Sequence, residues 1–223
     1  MLLFGSCAYK PQLTTIPLME KKGDLQIDAS ISPATLSFSA SGSYAFTDHI
    51  AAQLFGDFST VMMYGEGAVG FFNGFRNHIV VEGYLGFGGG SFIYNTESDS
   101  IHYEGNHYLG FTQFNIGKRI NNRRLHLDFG GGVKIGYLFH NMSITDIEPN
   151  SNRVTTYHQI NSTVIEPNIV FRIGGKQLKF SIQGNYSLFH QWNHREKLIH
   201  GKKLLYACPF NIGLGVSFRI PTK

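Results

Sequence analysis

Alternation of apolar and polar residues with a period of two, sustained from Leu25 to Arg219, is the feature that most constrains what this chain can fold into. Leu25, Ile27, Ala29 and Ile31 share one face of an extended segment, and Gln26, Asp28, Ser30 and Ser32 share the other. Leu36, Phe38, Ala40, Tyr44 and Phe46 oppose a row of Ser and Thr. Leu125, Leu127, Phe129, Val133, Ile135 and Tyr137 oppose His126, Asp128 and Lys134. Ile165, Ile169, Phe171 and Ile173 oppose Glu166, Asn168 and Arg172, and Leu178, Phe180, Ile182, Tyr186 and Leu188 oppose Lys179, Ser181, Gln183, Asn185 and Ser187. A last segment sets Tyr206, Phe210, Ile212, Leu214, Val216 and Phe218 against Asn211, Gly213, Gly215, Ser217 and Arg219. Successive side chains of a strand point to opposite faces, so each segment predicts a strand with one apolar and one polar side. Weaker matches at 50–59, 65–73, 78–92 and 107–117 bring the expectation to about ten strands, with eight as the smaller even number.

The polar face tells which side is out. It is mostly Ser, Thr, Gly, Gln and Asn, and charged residues make up only 15% of the chain against roughly 25% in an average soluble domain. A water-soluble barrel would hide its apolar set and coat itself in Lys and Glu. Here the apolar segments approach the roughly 9–11 residues that cross a bilayer at a tilt, and lipid satisfies no backbone group, so the sheet must close. The expected fold is an all-β, closed antiparallel transmembrane barrel with a polar, filled interior. No apolar run is long enough for a membrane helix. Basic residues are scattered, which argues against a nucleic-acid partner. Connections at 47–49, 73–76, 118–123 and 174–177 are short, whereas 93–106, 140–161 and 189–203 are long and polar. That asymmetry is expected of a barrel in the bacterial outer membrane, with outer-membrane lipid around it.

The amino terminus reads differently. Leu2-Leu3-Phe4-Gly5-Ser6 before Cys7 has the character of a lipoprotein signal ending at the lipidated cysteine, with a signal that would begin upstream of Met1. Residues 1–7 are therefore expected to be residual signal, 8–24 an extended periplasmic tether outside the folded body, and 25–219 the barrel. The other cysteine, Cys208, has the parity of the lipid-facing set and reads as a small hydrophobe.

Several strings, weak alone but consistent in order, carry a resemblance. They are Pro17-Leu18 with Glu20 and Gly23-Asp24; Tyr44 with Thr47-Asp48-His49; Gln113-Phe114-Asn115-Ile116-Gly117; and Glu166-Pro167 with Arg172, Gly174, Lys179 and Gln183. With them the chain resembles a group of small outer-membrane barrel proteins of Bacteroidota that often carry a lipoprotein-type cysteine. The resemblance implies an outer-membrane location and a barrel, and it brings no reaction.

Asp28, Asp57, Glu66, Glu82, Asp128 and Glu166, together with Lys134, Arg172, Lys179, Arg219 and His126, share the lumen-facing parity. Buried charges need partners, so the expected arrangement is an internal salt-bridge plug, with a narrow polar channel as the alternative. His190, His194 and His200 lack the spacing and partners of a metal site, and neither a metal nor a cofactor is expected. His140 with Ser143, or His158 with Ser162, could be drafted into a hydrolytic pair, but no third group orients either. Tyr108, Tyr157 and Trp192 suit an interfacial aromatic belt. The leading expectation is a non-enzymatic, lipid-anchored barrel that docks other envelope proteins. A small pore or ligand-binding barrel is the alternative, and an outer-membrane lipid-modifying enzyme comes third.

Overall fold

The computed structural model describes residues 12–33, 35–75, 78–95, 101–121, 125–147, 153–191 and 210–220. The alternating segments form β1 (Leu25–Ser32), β2 (Ser37–Ala45), β3 (Ile50–Ser59), β4 (Met62–Phe75), β5 (Ile79–Asn95), β6 (Ile101–Asn121), β7 (His126–Ile147), β8 (Arg153–Gly174), β9 (Leu178–Tyr186), β10 (Leu188–Gln191) and β11 (Phe210–Ile220). Each pairs antiparallel with its neighbour in sequence from β1 to β9, and β11 pairs with both β1 and β9, so the sheet closes on itself. β9 and β10 part at Ser187 but keep one register against β8, with Asn168 opposite Asn185 and Ile165 opposite Leu188. They are two halves of one stave, and among the described residues the barrel has ten.

The outer surface is apolar. Leu54, Val69, Phe71, Leu85 and Phe180 are all exposed on it. Water would penalise such a surface at every turn, whereas hydrocarbon is its proper solvent. On β7 the outward positions from Leu127 to Phe139 are apolar or Gly, and on β6 those from Tyr108 to Ile120 are apolar or Gly except for Thr112 and, near the short-turn end, Lys118. Those 13-residue stretches extend about 43 Å along the strand, or about 33 Å along the barrel axis at a 40° tilt, close to the thickness of a bilayer core. An apolar-out, closed barrel of this height is the architecture of the bacterial outer membrane.

The walls differ in height. β1, β2 and β3 have 8 to 10 residues, but β7 and β8 have 22 each, about 70 Å of strand. The segments 93–106 and 140–161, expected to be irregular loops, are therefore largely strand. Above the apolar belt the outward positions turn polar, with Asn106, Glu104 and His102 on β6 and Asn141, Ser143 and Thr145 on β7. Once water wets the outer face, the alternation that marks a strand disappears from the sequence while the backbone pairing continues. Most of 189–203 lies outside the described residues, as do Cys7, His194, His200, Trp192 and Cys208. Tyr108 sits at the upper edge of the belt, whereas Tyr157 stands above it. β6 also reaches Asn121, so the expected turn at 118–123 begins later than its polar composition suggested.

Candidate functional site

The tether expected over 8–24 is not outside the body where it is described. Gln12 to Met19 is buried along its whole length and runs through the barrel lumen without regular structure. It is a strap. Five lumen-facing side chains from four strands, β5, β6, β9 and β11, hold its backbone. The Asn185 amide donates to the Gln12 carbonyl, and Gln113 Nε2 donates to the Thr15 carbonyl at 2.8 Å. Arg119 and Arg219 donate to the carbonyls of Pro17 and Leu18 at 3.0 and 3.2 Å, and the Met19 N–H donates to Glu82 Oε1 at 2.8 Å. A buried backbone needs such partners, and a segment outside any sheet must find them in side chains.

Its apolar side chains are seated as well. Leu13 packs with Phe55 and Tyr64, Ile16 and Leu18 with Val80 and Val170, and Met19 with Phe72 and Tyr84. Wall glycines make the room. A Cβ on Gly117 would stand 2.4 Å from Leu18 Cδ2, and one on Gly213 would stand 2.4 Å from Leu13 Cδ1. Leu18 itself takes a left-handed φ of 54°, a conformation uncommon for a side chain of its size. The interior, expected to be polar, is mixed. Leu109, Phe111, Leu138 and Val164 line it beside the strap, since a filled lumen excludes the water that would penalise them.

The structure buries ten of the eleven expected lumen ionic residues and leaves His126 half-buried at the foot of β7. Midway up the barrel they form separate sets. Lys134 Nζ lies 2.6 and 2.9 Å from the two carboxylate oxygens of Glu66, which also accepts the Tyr64 hydroxyl at 2.8 Å. Arg172 meets Asp28 at 3.3 Å, and Gln26 donates to the same carboxylate. Glu166 accepts from Ser187, Asp57 from Ser39 at 3.3 Å, and Glu82 from Asn115 at 3.1 Å.

At the short-turn end the charges join into a continuous chain of contacts, half of whose members lie outside the expected lumen set. Lys179 pairs with Asp128 at 2.7 Å, and Asp128 lies 4.0 Å from Arg119. Arg119 meets Glu20 at 3.4 Å, Glu20 lies 3.9 Å from Arg219, and Arg219 pairs with Asp24. Three cations face three carboxylates, and two of the carboxylates belong to the segment that leads from the strap into β1. Glu20 and Asp24 were assigned to a tether, and Arg119 to a turn, so neither group was placed with the lumen set. The continued parity of Asn115, Gly117 and Arg119 was the available signal.

The proposed hydrolytic pairs do not assemble. His140 is buried on the inward face of β7, whereas Ser143 lies on the outward face and donates to Glu104 at 3.2 Å. His158 and Ser162 share a parity but stand four residues apart on one strand, about 13 Å. His140 instead stacks between Phe92 and His107, with ring centroids 5.0 and 6.0 Å away, and His107 stacks on Tyr64 at 5.4 Å. Those rings line the inner face from Tyr64, which packs on Leu13 of the strap, across to the tall wall. Among the described residues no cluster of three or more His, Cys, Asp or Glu could hold a metal.

No family model matches the chain, and no curated protein matches it. Among solved structures, it is similar to the KdgM porin, with a TM-score of 0.38 and 10% identity over 87% of this chain and 98% of that one. It is also similar to the same porin in complex with disordered oligogalacturonate, at 0.37 and 9% over 87% and 98%. The N-terminal β-barrel domain of Pseudomonas aeruginosa OprF matches with a TM-score of 0.29 and 14% identity over 90% of this chain and 99% of that domain.

Proposed function

We propose that this protein is a small outer-membrane pore whose lumen is closed by its own amino-terminal strap. The observation that carries the reading is the burial of Gln12 to Met19 inside a closed ring of ten staves. An eight-stranded barrel is about filled by its own side chains, and lumen width grows with strand number. Ten staves leave room for one further chain, and the strap takes that room. Its cross-section is therefore the cross-section of the channel it closes. The strap adds no strand pairing to the wall; apolar contacts and side-chain hydrogen bonds hold it, the bonds contributing about 0.5–1.5 kcal/mol net each for Asn185 and Gln113 and about 1.5–3 for Arg119, Arg219 and Glu82. Such a fastening closes the lumen and still permits release.

Walls bearing Asp28, Asp57, Glu66, Glu82, Lys134 and Arg172 would then line an aqueous path of mixed charge. On this reading the role is non-catalytic. The docking role expected from the sequence takes second place, because the strap is turned into the lumen and its contacts are with the barrel wall.

Planar-bilayer recording tests the proposal. The intact chain is expected to stay closed. A variant lacking residues 12–19, and separately Gly117→Leu with Gly213→Leu to drive Leu18 and Leu13 off the wall, are each expected to give discrete conductance steps. Heat-modifiable gel migration verifies that each variant is folded. A folded, strap-free barrel that passes no current overturns the reading.

A further inference from the structure

Above the apolar belt, the outward face of the tall wall carries a cleft of about 630 Å³, a size in the range of small-molecule sites. Two cross-strand rows supply its chemistry. One brings Asn106, Asn141 and Gln159 side by side on β6, β7 and β8; the next brings Glu104, Ser143 and Tyr157 together. Among the described residues, the three amides have no hydrogen-bond partner within the protein. Tyr157 is 82% exposed, which is unusual for a ring with so much apolar surface. Glu104 holds Ser143 at 3.2 Å and lies 3.5 Å from His102.

From this arrangement we infer that the cleft is a binding site for an uncharged saccharide. Each amide offers two donors and an acceptor, which matches the hydroxyls of a sugar ring, where every oxygen both gives and takes. The exposed face of Tyr157 offers the flat apolar surface that the C–H side of a pyranose can cover. No Lys or Arg lines the cleft among its described residues, and its one carboxylate repels anions, so phosphates and acidic sugars are disfavoured. The site lies just above the belt, at the height of lipid head groups, so its saccharide can come from solution or from the head of a membrane glycolipid.

Saturation-transfer NMR on the full chain tests this, with maltotriose as a free neutral sugar, trigalacturonate as the acidic control, and nanodiscs containing digalactosyldiacylglycerol as the glycolipid arm. Transfer to the neutral sugar in either arm is expected, with the responding arm naming the source. Tyr157→Ala and Asn141→Ala, verified as folded by gel migration, are each expected to weaken binding about tenfold. Silence in both neutral arms, stronger binding of trigalacturonate, or unchanged binding by both variants overturns the inference. The strap-free barrel is expected to bind as the intact chain does, which separates this site from the closure of the lumen.

Discussion

Lys134 shows how single residues are held inside this barrel. Its ammonium is fully buried, with both oxygens of Glu66 within 2.9 Å and the Phe111 ring centroid at 4.4 Å. Removing one partner of such a pair strands a charge away from water, whereas removing both leaves only apolar packing to repair. Lys134→Met is therefore expected to destabilise the folded barrel by about 3–5 kcal/mol, and Lys134→Met with Glu66→Met to recover most of that loss. Urea unfolding in lipid vesicles measures both. Equal losses in the single and double variants would show that the pair is not the buried unit described. Arg172 and Asp28 follow the same logic, and so does the Lys179–Asp128 pair in the neutral ionic chain below.

At the scale of elements, the belt fixes which strand positions meet lipid. Val133 lies midway between Leu127 and Phe139, the ends of the apolar stretch on β7, and Asn141 lies just above it. Val133→Arg is expected to cost about 2–4 kcal/mol, Leu127→Arg at the edge about 0–1, and Asn141→Arg in water almost nothing. A flat profile across the three in vesicle unfolding would remove the belt from this wall. The strands themselves were legible because lipid on one side and a filled lumen on the other impose opposite demands on alternate residues. The upper halves of β6, β7 and β8 were not legible, because water on the outer face lifts that demand; Thr155, Thr156 and Tyr157 keep strand character without alternation. The strap was missed for another reason. Its irregular backbone and Pro17 give no period, and only the uncharged run from Gln12 to Met19, ending at Glu20-Lys21-Lys22, distinguishes it from a solvated linker. Parity placed the lumen charges on one face, but their partners depend on register and on a segment with no parity at all.

For the whole molecule, strap and barrel form one folded unit. Glu20 and Asp24 join the ionic chain at the foot of the lumen, the turn at Gly23 hydrogen-bonds to Ala45, and the backbone then rises as β1 to pair with β11 and complete the wall. The segment that fills the lumen thus leads directly into the strand that closes the sheet. The most direct measurement of this account is a cross-link between strap and wall. In a Cys7→Ser, Cys208→Ser background, Leu13→Cys with Gly213→Cys places two thiols where a Cβ at 213 would touch the Leu13 side chain. Oxidation in native outer membranes is expected to join them, closing a loop of some 200 residues and speeding migration of the heat-unfolded band on a non-reducing gel. A pair that stays open, with the thiol at position 13 freely labelled by a membrane-impermeant maleimide, would place the strap outside the lumen and contradict the account.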